Sequence, residues 1–152
     1  MPEVSIARDI AAPAETVWSL VADITRMGEW SPESQGGSWQ KGATKAVTGA
    51  RFKGTNANGK KSWSTDCEIT ACEPGRTFEF VVRAGPFAIA TWRYDFTPTD
   101  TGCHVTETWT DNRGGLAKFL GKFASGVADR ESHNRTGMEQ TLAALASVAV
   151  AE

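Results

Sequence analysis

The chain has 152 residues, 40% of them hydrophobic and 22% charged, with 16 basic against 18 acidic side chains. That size and apolar content exclude intrinsic disorder and predict one domain that needs no disulfide or metal to fold. The net charge of −2 excludes a general nucleic-acid binder, which needs a basic surplus to neutralise phosphates.

Val4, Ile6, Arg8 and Ile10 alternate with Ser5, Ala7 and Asp9, which predicts a first strand. Pro13 suits the first turn of a helix, and Val17, Leu20, Val21 and Ile24 follow at helical spacing. Residues 13–24 therefore form a short amphipathic helix, and residues 25–32, with Met27 and Trp30, a turn and a second short helix. Residues 36–41 are a weak strand around Trp39. Residues 50–55 are a strand that ends near the strong turn signal Asn58-Gly59. Trp63, Thr65, Cys67, Ile69 and Ala71 then share one strand face. Pro74-Gly75 turns the chain into a strand facing Phe78, Phe80 and Val82 inward. After Gly85-Pro86 the inward set is Ala88, Ala90, Trp92, Tyr94 and Phe96. After Asp100-Thr101-Gly102 it is Cys103, Val105, Glu107 and Trp109. Beyond Gly114-Gly115 the pattern is helical to about residue 148, roughly nine turns at 3.6 residues each. Leu116, Leu120, Phe123, Val127, Asn134, Met138, Thr141 and Leu145 form its stripe. The chain is thus α+β. Its seven-stranded antiparallel sheet has one apolar face, and the long C-terminal helix is the element able to cover it.

No apolar run is long enough to span a membrane, and the N-terminus lacks the features of a signal peptide. Cys67, Cys72 and Cys103 are odd in number and lack zinc-ligand spacing. They are expected as free thiols, and the location as cytoplasmic. No cofactor and no metal site is expected. Six tryptophans stand beside one tyrosine, which suggests an aromatic-rich core or an aromatic-lined pocket.

Several local sequences resemble the START-like (SRPBCC, helix-grip) superfamily, and within it the polyketide cyclase/dehydrase-like branch. They are Ile10-Ala11-Ala12-Pro13 with Val17-Trp18, Val21-Ala22-Asp23, Trp30-Ser31-Pro32, Pro74-Gly75-Arg76, Gly102 with Val105-Thr106-Glu107, and Gly137-Met138 with Thr141-Leu142 and Leu145. The resemblance covers nearly the whole chain and implies one domain over residues 1–152. It also implies a helix-grip fold, with a seven-stranded antiparallel sheet wrapped around a long C-terminal helix and two short helices between strands 1 and 2. Such proteins bind lipids, sterols, polyketides and other apolar molecules between sheet and helix. The expected partner is therefore a small hydrophobic ligand. Some relatives resemble toxin–antitoxin components, so a protein partner is an alternative. Fold alone does not decide between them.

Trp63, Phe78, Phe80, Trp92, Tyr94 and Trp109 should point at the long helix, with Phe119, Phe123 and Met138 pointing back. The same residue types make a plain core or line an apolar pocket. Glu107 falls on the inward face, where an unpaired carboxylate is costly and its pKa rises. Asn134 lies on the helix stripe with Arg130 near it, and in this fold Arg8 neighbours the last strand. One reading is a structural ion pair of Glu107 with Arg8 or Arg130. The other is that Glu107, Arg130 and Asn134 orient a ligand's carbonyl or hydroxyl. Ligands of this fold enter among the hairpin loops and the start of the long helix. That puts Trp30, Phe87 and residues 116–119, Phe119 included, near the mouth. His104 and His133 are expected at the surface without partners. No nucleophile elbow, dinucleotide loop or metal cluster is present. If the chain is an enzyme, it is a cyclase or dehydratase with Glu107 or Tyr94 as acid/base.

Overall fold

A computed structural model describes residues 3–113 and 129–151. The elements run β1 (Glu3–Ile10), α1 (Ala14–Ala22), a 3-10 helix (Ile24–Glu29), β2 (Ser34–Gln40), β3 (Arg51–Asn58), β4 (Lys61–Glu73), β5 (Thr77–Ala84), β6 (Phe87–Thr99), β7 (Gly102–Asp111) and α2 (Arg130–Ala151). The part of the long helix expected before Arg130 lies outside the described residues. No helix among the described residues is long and apolar enough to cross a membrane.

The seven strands form one sheet in the order β1-β7-β6-β5-β4-β3-β2. Every neighbouring pair is antiparallel. Strands β2 to β7 follow one another as hairpins, and β1 closes on β7 at the far edge. This is the expected helix-grip architecture. Three register shifts bend the sheet, one of them on β2 between Ser34 and Gly37. Thr70 is the extra residue on β4 and Ile89 the extra residue on β6. Each breaks the two-residue alternation and increases the local twist, so past Thr70 the inward place passes from the expected Ala71, opposite Glu79, to Cys72, opposite Phe78.

The first helix differs from its expected extent. Asp23 closes α1 with its N–H on the Leu20 carbonyl. Its carboxylate then accepts from the Thr25 N–H at 3.2 Å and the Thr25 hydroxyl at 2.5 Å. That cap starts the 3-10 turn, so Ile24 belongs to the second helix. Trp18 pins α1 to the sheet by donating its indole N–H to the Thr77 carbonyl at 2.8 Å.

The main core lies under α1 and the C-terminal half of α2. Val17, Ile69, Phe78, Leu142 and Leu145 are buried there together. A smaller cluster joins Val4, Trp109 and Met138. From Arg130 onward the helix stripe is as expected, with Asn134, Met138, Thr141 and Leu145 buried and Leu142 and Ala149 beside them, while Leu116, Leu120, Phe123 and Val127 lie outside the described residues.

The β6–β7 turn brings Gly102 against the end of β1. A Cβ on Gly102 would stand 2.0 Å from the Ile10 carbonyl oxygen and 2.7 Å from the Ala12 nitrogen. Both are backbone atoms, so the strand end itself would have to move. Gly137, on α2, has nothing within 4 Å of an added Cβ. Gly102→Ala is expected to destabilise the fold by about 1–3 kcal/mol. Gly137→Ala should stabilise it by roughly 0.5–1 kcal/mol through helix propensity. Thermal unfolding of both variants checks the contrast, and equal midpoints would refute it.

Candidate functional site

A cavity of about 910 Å³ lies between the inward face of the sheet and the N-terminal half of α2. Small residues stand where larger ones would fill it. Gly54 on β3, Ala90 on β6 and Gly137 on α2 all line the space. Trp63, Phe80, Trp92 and Trp109 supply apolar walls, with the rings of Trp92 and Trp109 6.3 Å apart. Large side chains on neighbouring strands and small ones between them leave room that close packing would remove.

Of the residues singled out in the sequence, the structure places Trp63, Phe80, Trp92, Tyr94, Glu107, Trp109, Arg130, Asn134 and Met138 on the cavity wall. Phe119 and Phe123 lie outside the described residues. Phe78 is fully buried in the core against Phe80 rather than on the wall. The bulge at Ile89 alters the expected alternation, so Ile89 and Ala90 line the cavity and Ala88 does not. Phe87 is 69% exposed at the hairpin tip and borders the cavity.

Trp30 is not at the mouth. It is 5% exposed and packs in the main core. The N–H groups of Trp30 and Ser31 both bond the Met27 carbonyl. Met27 and the stretch from Ser31 to Ser34 border the cavity in its place. The Arg26 guanidinium sits 5.4 Å from the centre of the Trp30 ring.

Tyr94 and Glu107 are cross-strand neighbours on β6 and β7. The Tyr94 hydroxyl donates to Glu107 Oε2 at 2.7 Å. Neither expected arginine pairs with Glu107. Arg8 is exposed on β1 opposite Val105, and Ile6 is the residue opposite Glu107. Arg130 turns to Glu33. Burial pushes the Glu107 carboxyl up to about 8, against the opposing pull of the Tyr94 hydrogen bond. Burial, then the Glu107 charge and its hydrogen bond, raises the Tyr94 phenol well above 10. At neutral pH the pair is therefore mainly an uncharged acid and an uncharged phenol. Glu107 Oε1 has no hydrogen-bond partner among the described residues.

A second polar group sits where α2 begins. Arg130 donates to Glu33 Oε1 and, at 3.3 Å, to Asn134 Oδ1, and its guanidinium lies 5.9 Å from the Trp63 ring centre. His133 Nε2 approaches Glu33 Oε2 to 3.3 Å without hydrogen-bond alignment. His133 borders the cavity, so it is neither purely a surface residue nor partnerless. Its signal was its position one turn after Arg130 on the same helix face. Glu33 lies 97 residues before Arg130 and carried no signal. His104 also has a partner, Asp9 Oδ1 at 2.7 Å, directly opposite on the outer face of β1. Cys67 lines the cavity, and burial pushes its thiol up to about 12, so it is a poor nucleophile at neutral pH.

The raised Glu107 value has a definite sign. Between an unfolded value near 4.5 and a folded one of about 8, the folded state holds a proton that the unfolded state has lost. Stability contributed by this group is full below that window and declines as pH rises through it. Glu107→Gln removes the titration. Relative to wild type, the variant is expected to gain stability as pH rises from about 5 to 8. Urea unfolding across that range checks this, and parallel curves for the two proteins would contradict it.

Residues 1–150 match the family described as polyketide cyclase/dehydrase and lipid transport. A Polyketide_cyc-like protein from Corynebacterium glutamicum is 33% identical, with a TM-score of 0.64 over 97% of this chain and 93% of that one. A Chromobacterium violaceum protein is 14% identical, with a TM-score of 0.72 over 98% of each chain. The di-domain ARO/CYC protein StfQ of the steffimycin biosynthetic pathway is 15% identical, with a TM-score of 0.73. That match covers 97% of this chain and 50% of StfQ. The last two likenesses concern the fold. Among curated proteins none is significantly similar.

Proposed function

The chain belongs to the polyketide cyclase/dehydrase and lipid transport family, and from that premise we propose that it binds a small hydrophobic molecule in the cavity between the sheet and α2. The observation that carries this reading is the cavity itself, about 910 Å³ of unfilled space beside Trp63, Trp92 and Trp109. Empty apolar space forfeits packing contacts. A ligand restores them, gaining roughly 25 cal/mol for each Å² of apolar surface removed from water before the entropic costs of binding. The exposed large apolar side chains among the described residues, Val47, Phe87 and Val150, stand on separate segments. That favours a ligand carrier over a protein-docking role. Free Cys67, Cys72 and Cys103 favour a cytoplasmic setting.

A second reading, ring closure or dehydration of a polyketide-like substrate, is favoured by one observation. A carboxyl held up to about 8 beside a phenol is poised to give a proton to a carbonyl oxygen and take one back near neutral pH. In that reading Glu107 is the acid/base and Tyr94 orients it. Binding comes first in either case.

Nile red, a neutral apolar dye, is expected to bind saturably at one site, with a blue-shifted emission. Ala90→Trp places a large ring in the cavity and should weaken that binding by about tenfold or more, roughly 1.4 kcal/mol. Fluorescence titration of both proteins is the check. Absence of saturable binding to wild type would defeat the reading, and equal affinity for the variant would move the site elsewhere.

A further inference from the structure

One buried carboxyl oxygen at the cavity wall, Glu107 Oε1, has no hydrogen-bond partner among the described residues. Tyr94 gives its proton to Glu107 Oε2 at 2.7 Å. The proton of the neutral carboxyl then belongs on the other oxygen, Oε1. That atom is buried and has no partner among the described residues. Its side chain is 1% exposed, so water does not reach it freely. The neighbouring strands offer little. Across β1 the facing residue is Ile6, and across β6 it is Tyr94, already engaged at Oε2. Glu107 also lines the cavity, a direction from which a partner can come. Buried donors in folded proteins are nearly always paired.

We propose that Glu107 Oε1 docks a ligand oxygen that only accepts a hydrogen bond: the carbonyl of an uncharged ketone, quinone, ester or lactone within an otherwise apolar molecule. This rests on the reading of the cavity as a ligand site and adds the chemical class of the ligand. A hydroxyl group would bring a second donor that must itself be satisfied, and Oε1 already carries a proton. A carboxylate or phosphate is disfavoured at this depth, because the arginines on the wall are engaged elsewhere. Arg130 holds Glu33 and Arg113 holds Asp111 with two bonds of 2.9 Å. Arg83 stands 3.9 Å from Glu68. An anion brought to Glu107 would be desolvated without a counter-charge. An ammonium would have to ionise the buried acid, which replaces a neutral group by a buried pair of charges.

Benzophenone and diphenylmethane differ only by a carbonyl in place of a methylene. In a cavity with no donor the ketone should bind more weakly, since its oxygen leaves water for nothing. With the Glu107 donor present, benzophenone is expected to bind wild type about tenfold more tightly than it binds Glu107→Leu, or roughly 1.4 kcal/mol. Diphenylmethane should bind both proteins alike. Glu107→Gln keeps an N–H in place and should keep the ketone. If the leucine variant does not fold, Tyr94→Phe combined with Glu107→Leu removes both polar groups and takes its place. Wild type supplies an independent reading: the carbonyl stretch of bound benzophenone, by infrared difference spectroscopy, should fall below its value in hexane. An unshifted stretch, or equal ketone affinity for wild type and the leucine variant while diphenylmethane binds, would overturn the carbonyl assignment alone. Failure of both probes to bind wild type would overturn the ligand reading and the assignment together.

Discussion

A sheet with one apolar face must find a cover for it, and everything else in this molecule follows from how unevenly α2 provides that cover. The C-terminal half of α2 brings Leu142, Leu145 and Ala149 into the main core. Toward its N-terminus the helix sets Met138 among Asn134, Gly137 and Thr141. These last three are small or polar and do not fill the space that the bulged sheet opens. One end of the molecule is therefore a packed core, joined to α1 through the Trp18 indole and the Thr77 carbonyl. The other is a chamber walled by tryptophans. Packing holds the first end together, and its absence defines the second.

Within that chamber the polar groups are few and separated by kind. Tyr94 and Glu107 form an uncharged pair on adjacent strands. Burial rather than a neighbouring charge sets the state of the acid. Arg130, Glu33 and Asn134 form a charged set where α2 begins. The uncharged pair suits orientation of a neutral group at low cost in desolvation. The charged set links the start of β2 to α2 across the chamber. A family whose description spans both cyclisation and lipid transport is consistent with such a site. On the proposed reading, the shape of the chamber and the Glu107 carboxyl would select the guest.

Much of this was legible in the sequence. The two-residue alternation assigned β1 and β4 to β7 and most of their inward side chains, because one face of the sheet is dry and the other wet. It failed at Ala71 and Ala88, where the Thr70 and Ile89 bulges shift the pattern, as bulges carry no compositional mark of their own. The partner of Glu107 is set by strand register rather than by charge. A two-residue turn at Asp100-Thr101 pairs Thr99 with Gly102, and counting back along the hairpin seats Tyr94 opposite Glu107. The sequence therefore held that answer. It did not hold the Glu33 contact with Arg130, which depends on tertiary closure across 97 residues. Nor did it hold the inward turn of Trp30, which follows from the 3-10 geometry after the Asp23 cap.

The central claim is that apolar molecules enter the space between β-sheet and α2 rather than adhere to the surface. Intermolecular nuclear Overhauser effects from bound diphenylmethane test it most directly. The account predicts contacts to the Met138 methyl and to ring protons of Trp63, Trp92 and Trp109. Contacts confined to the exposed side chains Val47, Phe87 and Val150 would contradict it.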